Sequence, residues 1–119
     1  MDKISVDKSL DLYLNTLSYL DENYINASDE ELEHYILEEL DADAHTFLHT
    51  YTVNLLIDND LIPNSVADDS DALRTFVKEL IDKKRKLHQI RFDNDWKKAR
   101  QLARDILTKI KSHQDSKRF

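Results

Sequence analysis

This chain has 119 residues and no glycine. Average usage of about 7% would supply roughly eight. Glycine provides positive φ in hairpin turns, phosphate-cradling loops and strand-to-helix elbows. Its absence excludes, on motif grounds, Rossmann and P-loop sites and the G-x-S-x-G nucleophile elbow. Helices that end on Asn or another polar residue lose nothing by it. The expected fold is therefore all-α.

The length fits one domain, residues 1–119, large enough to bury roughly two-thirds of its unfolded surface. Hydrophobic residues at 40% and charged residues at 34% suit a globular rather than a disordered chain. Without cysteine there is no disulfide, no thiolate nucleophile and no Cys-ligated zinc or iron–sulfur site. The start, Met-Asp-Lys-Ile-Ser-Val-Asp-Lys, has no apolar h-region, so no signal peptide is expected. The longest aliphatic run, Leu55-Leu56-Ile57, is far short of a membrane span, and a soluble, cytoplasmic protein is expected.

Apolar spacing predicts about five helices in one bundle with short connections. The first runs from about Ser5 to Asp21 on Val6, Leu10, Tyr13, Leu14, Leu17 and Leu20, with Tyr24-Ile25 in the connection that follows. Ser28 with Glu31 forms a capping box for the second, which carries Leu32, Tyr35, Ile36 and Leu40 on one side. Asp41-Ala42-Asp43 suits an N-cap for a third helix, about Ala44 to Asp58, although nothing there forbids one continuous helix. This third helix places Phe47, Leu48, Tyr51 and Leu55 on one face. Asn59-Asp60 and the only proline, Pro63, mark the main loop. The fourth helix begins near Ser70 or Asp71 and buries Leu73, Phe76, Val77, Leu80, Ile81 and Leu87. Asp93-Asn94-Asp95 then caps a fifth, with Trp96, Ala99, Leu102, Ala103, Ile106, Leu107 and Ile110 in line. Residues 112–119 read as a polar, frayed tail.

Charge is divided unevenly along this pattern. Residues 1–72 hold 18 acids against 2 bases, and residues 73–119 hold 15 bases against 6 acids. Like charges at helical neighbours such as 30/33 and 38/41 each cost a few tenths of a kcal/mol. Two structural readings compete with a functional one: a solvated acidic face, or acidic helices packed on the basic ones. The functional reading is a negative surface held out to a cationic partner. All five tyrosines lie in the acidic half, and tyrosine suits interface cores. On helical wheels Tyr13 and Tyr51 fall with the core leucines, while Tyr19 falls off the stripe and is the candidate for exposure.

Three constellations remain. The run Lys83-Lys84-Arg85-Lys86 and a stripe of Lys97, Arg100, Arg104 and Lys111 could track phosphates, though aromatic stacking platforms are thin and the whole chain, at −7, repels a polyanion. Asp41, His45 and His49 form an i, i+4, i+8 row that could grip zinc or iron, but two histidines supply too few of the usual ligands, and no metal or cofactor is expected. Glu31-x-x-His34 occurs once, where a di-iron bundle needs the pattern twice.

These observations favour a non-enzymatic interaction protein whose acidic surface covers a basic protein partner. Its concrete form is an immunity protein or antitoxin against a nuclease-type toxin, with Tyr35, Glu38, Asp41, Asp43, Asp58 and Asp60 as contacts. The alternatives are a nucleic-acid-binding module using Lys83, Lys84, Arg85, Lys86, Arg100 and Arg104, and salt-dependent self-assembly of acidic on basic halves.

Overall fold

The computed structural model describes residues 5–21 and 26–116. It is 84% helical, with no strand among the described residues, as the lack of glycine implies. Its shortest dimension is 22 Å, about two helix diameters.

Helix α1 (Val6–Ser18) starts where the Ser5 hydroxyl accepts from the Lys8 amide at 3.1 Å. Helix α2 (Asp29–Leu32) starts where Ser28 accepts from the Glu31 amide at 3.2 Å. It continues without a break through a π-helical stretch, Glu33–Leu40, into α3 (Asp41–Phe47). The question at Asp41 is thus settled in favour of one helix from residue 29 to residue 47. Its core residues Leu32, Ile36, Leu40 and Ala44, and Leu48 just beyond, are all buried and fall on every fourth position. Such a row drifts by about 40° per step around an α-helix of 3.6 residues per turn. It drifts by about 30° the other way around a π-helix of roughly 4.4 residues per turn. Joining the two kinds of turn lets the drifts cancel, so one apolar row faces the core throughout.

The chain then breaks at Leu48-His49, a break the sequence analysis did not anticipate. Leu48 leaves helical geometry at φ −96°, ψ 1°, and His49 is extended. The His49 ring nitrogen Nδ1 accepts from the Tyr51 amide at 3.1 Å and caps α4 (Thr50–Asp58). The expected helix from Ala44 to Asp58 is therefore two helices, and the break turns Tyr51 out of the core. Tyr51 is 76% exposed, whereas Tyr19, expected outside, is 7% exposed. Tyr13 is fully buried, as its place in the leucine row required. Tyr24 and the connection around it lie outside the described residues.

The end of α4 shows how the chain manages without glycine. Asp60 takes positive φ (61°), and the Leu61 and Asp60 amides donate back to the Leu56 and Ile57 carbonyls at 3.0 and 2.9 Å. This is a Schellman cap with aspartate in the left-handed place that glycine usually fills. After Pro63 and a 3-10 turn (Asn64–Val66), α5 (Ala67–Lys83) begins three residues before the expected Ser70.

The single long fourth helix expected through Leu87 is also divided. Lys84 departs to φ −133°, ψ 52°, and α6 (Leu87–Phe92) follows, with Gln89 Oε1 accepting from the Lys86 amide. The Trp96 indole donates to the Lys84 carbonyl at 2.8 Å, and Lys84 Nζ reaches Asp93 and Asp95 at 3.1 and 2.9 Å. A buried indole thus fixes the corner from behind. Helix α7 (Asn94–Ser116) starts where Asp93 accepts from the Asp95 amide at 2.8 Å. It stays helical to Ser116, so residues 112–116 are not the frayed tail expected; residues 117–119 lie outside the described residues.

Helix α5 is central: it packs along α7 and against α3 and α4, while α1 closes the other side against α3, α4 and α7. Tyr13, Leu40, Leu48, Leu56, Leu73, Val77, Trp96 and Ile106 are essentially inaccessible. Each buried side chain of this size contributes about 1.5–3 kcal/mol. Inside this core the Tyr13 and Ser70 hydroxyls bond at 2.6 Å.

Candidate functional site

The outward face of the 29–47 helix carries Glu30, Glu31, Glu33, Glu38 and Asp41 exposed, with Glu39 and Asp43 half-buried. The first three lie near the helix N-terminus, where the backbone dipole favours them. The others lie too far along to benefit.

Tyr35 sits beside this group and is half-buried. Its ring stacks on that of Tyr19, with centroids 5.9 Å apart, and His34 packs edge-on against it at 5.2 Å. His34 in turn bridges two carboxylates, Glu38 at 2.7 Å and Glu39 at 3.5 Å. The Tyr19 hydroxyl accepts from Asn15 at 3.0 Å and bonds to Asp43. Partial burial, followed by the neighbouring Glu39 carboxylate, raises the Asp43 pKa above the usual aspartate range, while the Tyr19 bond opposes the rise. A cation approaching this carboxyl group would favour its charged form and offset the repulsion from Glu39, the smaller of the two causes that lift it.

Internal neutralisation of these carboxylates is slight. Ion pairs from the basic half reach the acidic half at Asp29, bound by Arg91 at 2.9 Å, and at Asp69, bound by Lys109 at 2.7 Å. His113 adds a contact to Asp60 at 3.1 Å. Among the described residues, no lysine or arginine pairs with Glu38, Asp41, Asp43 or Asp58. The other lysine pairs stay within the basic half, Lys83 with Glu79, Lys84 with Asp93 and Asp95, and Lys98 with Asp95.

The fold groups Tyr35, Glu38, Asp41 and Asp43 on one continuous helix. Asp58 and Asp60 stand apart at the end of α4. Asp58 is exposed there, and Asp60 is committed to the helix cap and to His113, whose ring also meets the Asp60 carbonyl oxygen at 3.2 Å.

The row of Asp41, His45 and His49 does not survive folding, because the break at Leu48-His49 takes His49 into the α4 cap. Among the described residues, no group of three His, Cys, Asp or Glu side chains is placed to hold a metal ion.

The basic residues are also dispersed. Arg100 is 7% exposed, and its guanidinium donates to the Ile90 and Arg91 carbonyls at 2.8 and 3.4 Å. It joins α6 to α7 from inside, off the surface stripe assigned to it. Lys84 is held by two aspartates, and Lys83 meets Glu79 at 3.0 Å. Arg85 and Lys86 are exposed at the corner, and Arg104 is exposed on α7 next to Gln101.

Two residues outside the constellations named from sequence, Arg74 and Lys78, face a cleft between α5 and α3. Their signal was present as the first two cations after the long base-free stretch, four residues apart. Among the described residues, no helix is long and apolar enough to cross a membrane. Comparison with known family models, curated proteins and solved structures gives no match.

Proposed function

We propose that this chain is a non-enzymatic interaction protein whose 29–47 helix covers a basic surface on another protein. In its concrete form it is a cytoplasmic immunity protein or antitoxin that neutralises a nuclease-type toxin domain. Carboxylates then occupy places the toxin reserves for phosphates, and the negative field speeds capture. The observation that carries this reading is that, among the described residues, Glu38, Asp41 and Asp43 have no lysine or arginine partner. Tyr35, braced by Tyr19 and His34, supplies an aromatic anchor beside them, the residue type that most often dominates such contacts. The dispersal of the basic residues by Arg100, Lys84 and Lys83 weighs against the nucleic-acid alternative.

The test is affinity capture from the native host with mass-spectrometric identification, followed by binding measurements on the captured species. The expected partner is a basic protein that binds Asp41→Lys/Asp43→Lys at least about five-fold more weakly, equivalent to roughly 1 kcal/mol, with the loss concentrated in the association rate. Capture of nucleic acid instead, or an affinity indifferent to the reversal, overturns the proposal.

A further inference from the structure

Arg74 and Lys78 lie one turn apart on α5 and line the same cleft. Across from them on α3 stand Asp41 and His45, also one turn apart. Ala44 and Val77, both core residues, lie between the two walls. The cleft has a volume of about 400 Å³, in the range that holds small organic molecules.

The charges of this cleft stay apart. Some lysines elsewhere find carboxylates, as Lys83, Lys84 and Lys109 do. Arg74 and Lys78 share a cleft with Asp41, yet neither comes within ion-pair distance of it or of any other described carboxylate. Arg74 instead touches α3 through its Nε, which donates to the His45 carbonyl at a long 3.4 Å. Two cations on one wall, a carboxylate on the other and apolar carbon between them leave charge of both signs unneutralised across a gap.

The geometry points to a binding site for a small zwitterion. Its carboxylate would lie against Arg74 and Lys78, its apolar carbon over Ala44 and Val77, and its ammonium against Asp41. A simple anion would meet repulsion from Asp41, and a simple cation from Arg74 and Lys78; only a ligand with both charges satisfies both walls. Packed helices run roughly 8–10 Å apart axis to axis, so a ligand a few methylene groups long can reach from one wall to the other. The site stands on its own residues and does not depend on a protein partner, although Asp41 also belongs to the acidic face.

Amide-resolved NMR titration of the full chain tests it, with 6-aminohexanoate, hexanoate and hexylammonium as probes. The amphoteric probe is expected to shift the amides around Ala44, His45 and Val77 saturably. It should bind about tenfold or more tightly than either singly charged analogue. Lys78→Gln, at an exposed position, and Arg74→Gln/Lys78→Gln should each weaken it, the pair by at least about tenfold, with melting temperature as the folding control. Asp41→Asn should narrow the preference over hexanoate. Equal binding of hexanoate, saturable shifts elsewhere, or none up to tens of millimolar overturns the assignment. The Arg74→Gln/Lys78→Gln variant is expected to keep its affinity for a captured protein partner. If it loses that affinity while wild-type protein ignores the zwitterion, the cleft belongs to a protein interface and the small-molecule site is wrong.

Discussion

Replacing Asp41 and Asp43 by asparagine should stabilise the free protein. The variant Asp41→Asn/Asp43→Asn removes two like-charge contacts, Glu38 with Asp41 at i, i+3 and Glu39 with Asp43 at i, i+4. Each costs about 0.3–0.5 kcal/mol at low ionic strength. Asparagine and aspartate have similar helix propensities, so backbone preference does not obscure the result. The amide that replaces the Asp43 carboxylate also keeps an oxygen for the Tyr19 hydroxyl. The sum is about 0.6–1 kcal/mol, or roughly 3 °C in melting temperature for a chain of this length.

Thermal unfolding by circular dichroism at about 10 mM and 1 M sodium chloride reads it out. The Debye length falls from about 30 Å to about 3 Å over that range, so most of the gain should disappear in high salt. The pH dependence has a definite sign. Because the folded state raises the Asp43 pKa, it holds that proton more tightly than the unfolded chain does. Wild-type stability therefore falls as pH rises from the usual aspartate value through the raised one. The asparagine variant escapes that loss, so its advantage is absent in acid and complete at neutral pH. A melting temperature unchanged or lowered at low salt would mean that cations within the fold already neutralise these carboxylates, and the recognition argument would fail with it.

Two further outcomes follow from the core and the α5–α6 corner. Tyr13→Phe and Ser70→Ala should each cost about 1–2 kcal/mol in urea unfolding by leaving a buried hydroxyl alone, while the double variant costs well short of their sum; strictly additive losses would show that the pair does not bond. At the corner, the Asp95 amide and then Lys84 hold the Asp93 pKa below the usual range. The stability this supplies is present at neutral pH and disappears as pH falls through the depressed value. Asp93→Asn should flatten the acid limb of a curve of melting temperature against pH, and an acid limb identical to wild type would refute the assignment.

What the sequence disclosed and what it withheld differ in physical kind. Ser28 with Glu31 and the Asp93-Asn94-Asp95 cap were readable because a side-chain oxygen a few residues from an amide acts locally. The breaks at Leu48-His49 and Lys84 were not, since neither carries proline or glycine. One is capped by a histidine ring, and the other is held by an indole twelve residues further on. The first of those breaks also explains Tyr51: a helical wheel drawn through residue 49 puts it in the core, where the real chain has already turned. Arg100 escaped because a guanidinium that satisfies two carbonyls inside looks, in sequence, like one more surface charge. Of the candidate site, Tyr35, Glu38, Asp41 and Asp43 were legible as a group because one helix carries them. Asp60 was not, because its role is set by a left-handed backbone angle. Arg74 and Lys78 matter only through what the fold sets opposite them.

The wide turns at Glu33–Leu40 amount to one spare residue spliced into a helix. If Leu37 were lost, Leu32, Ile36, Leu40, Ala44 and Leu48 would keep an ordinary α-helical rhythm of four, three, four and four. The stretch would tighten and keep its row of core residues, losing only the packing of Leu37 against their edge. Outside, Glu38 and Glu39 would swing to new bearings relative to Tyr35. Shortening the chain by that one residue would thus redraw the charged exterior in one stroke, with the buried row of Leu32, Ile36, Leu40, Ala44 and Leu48 still facing inward.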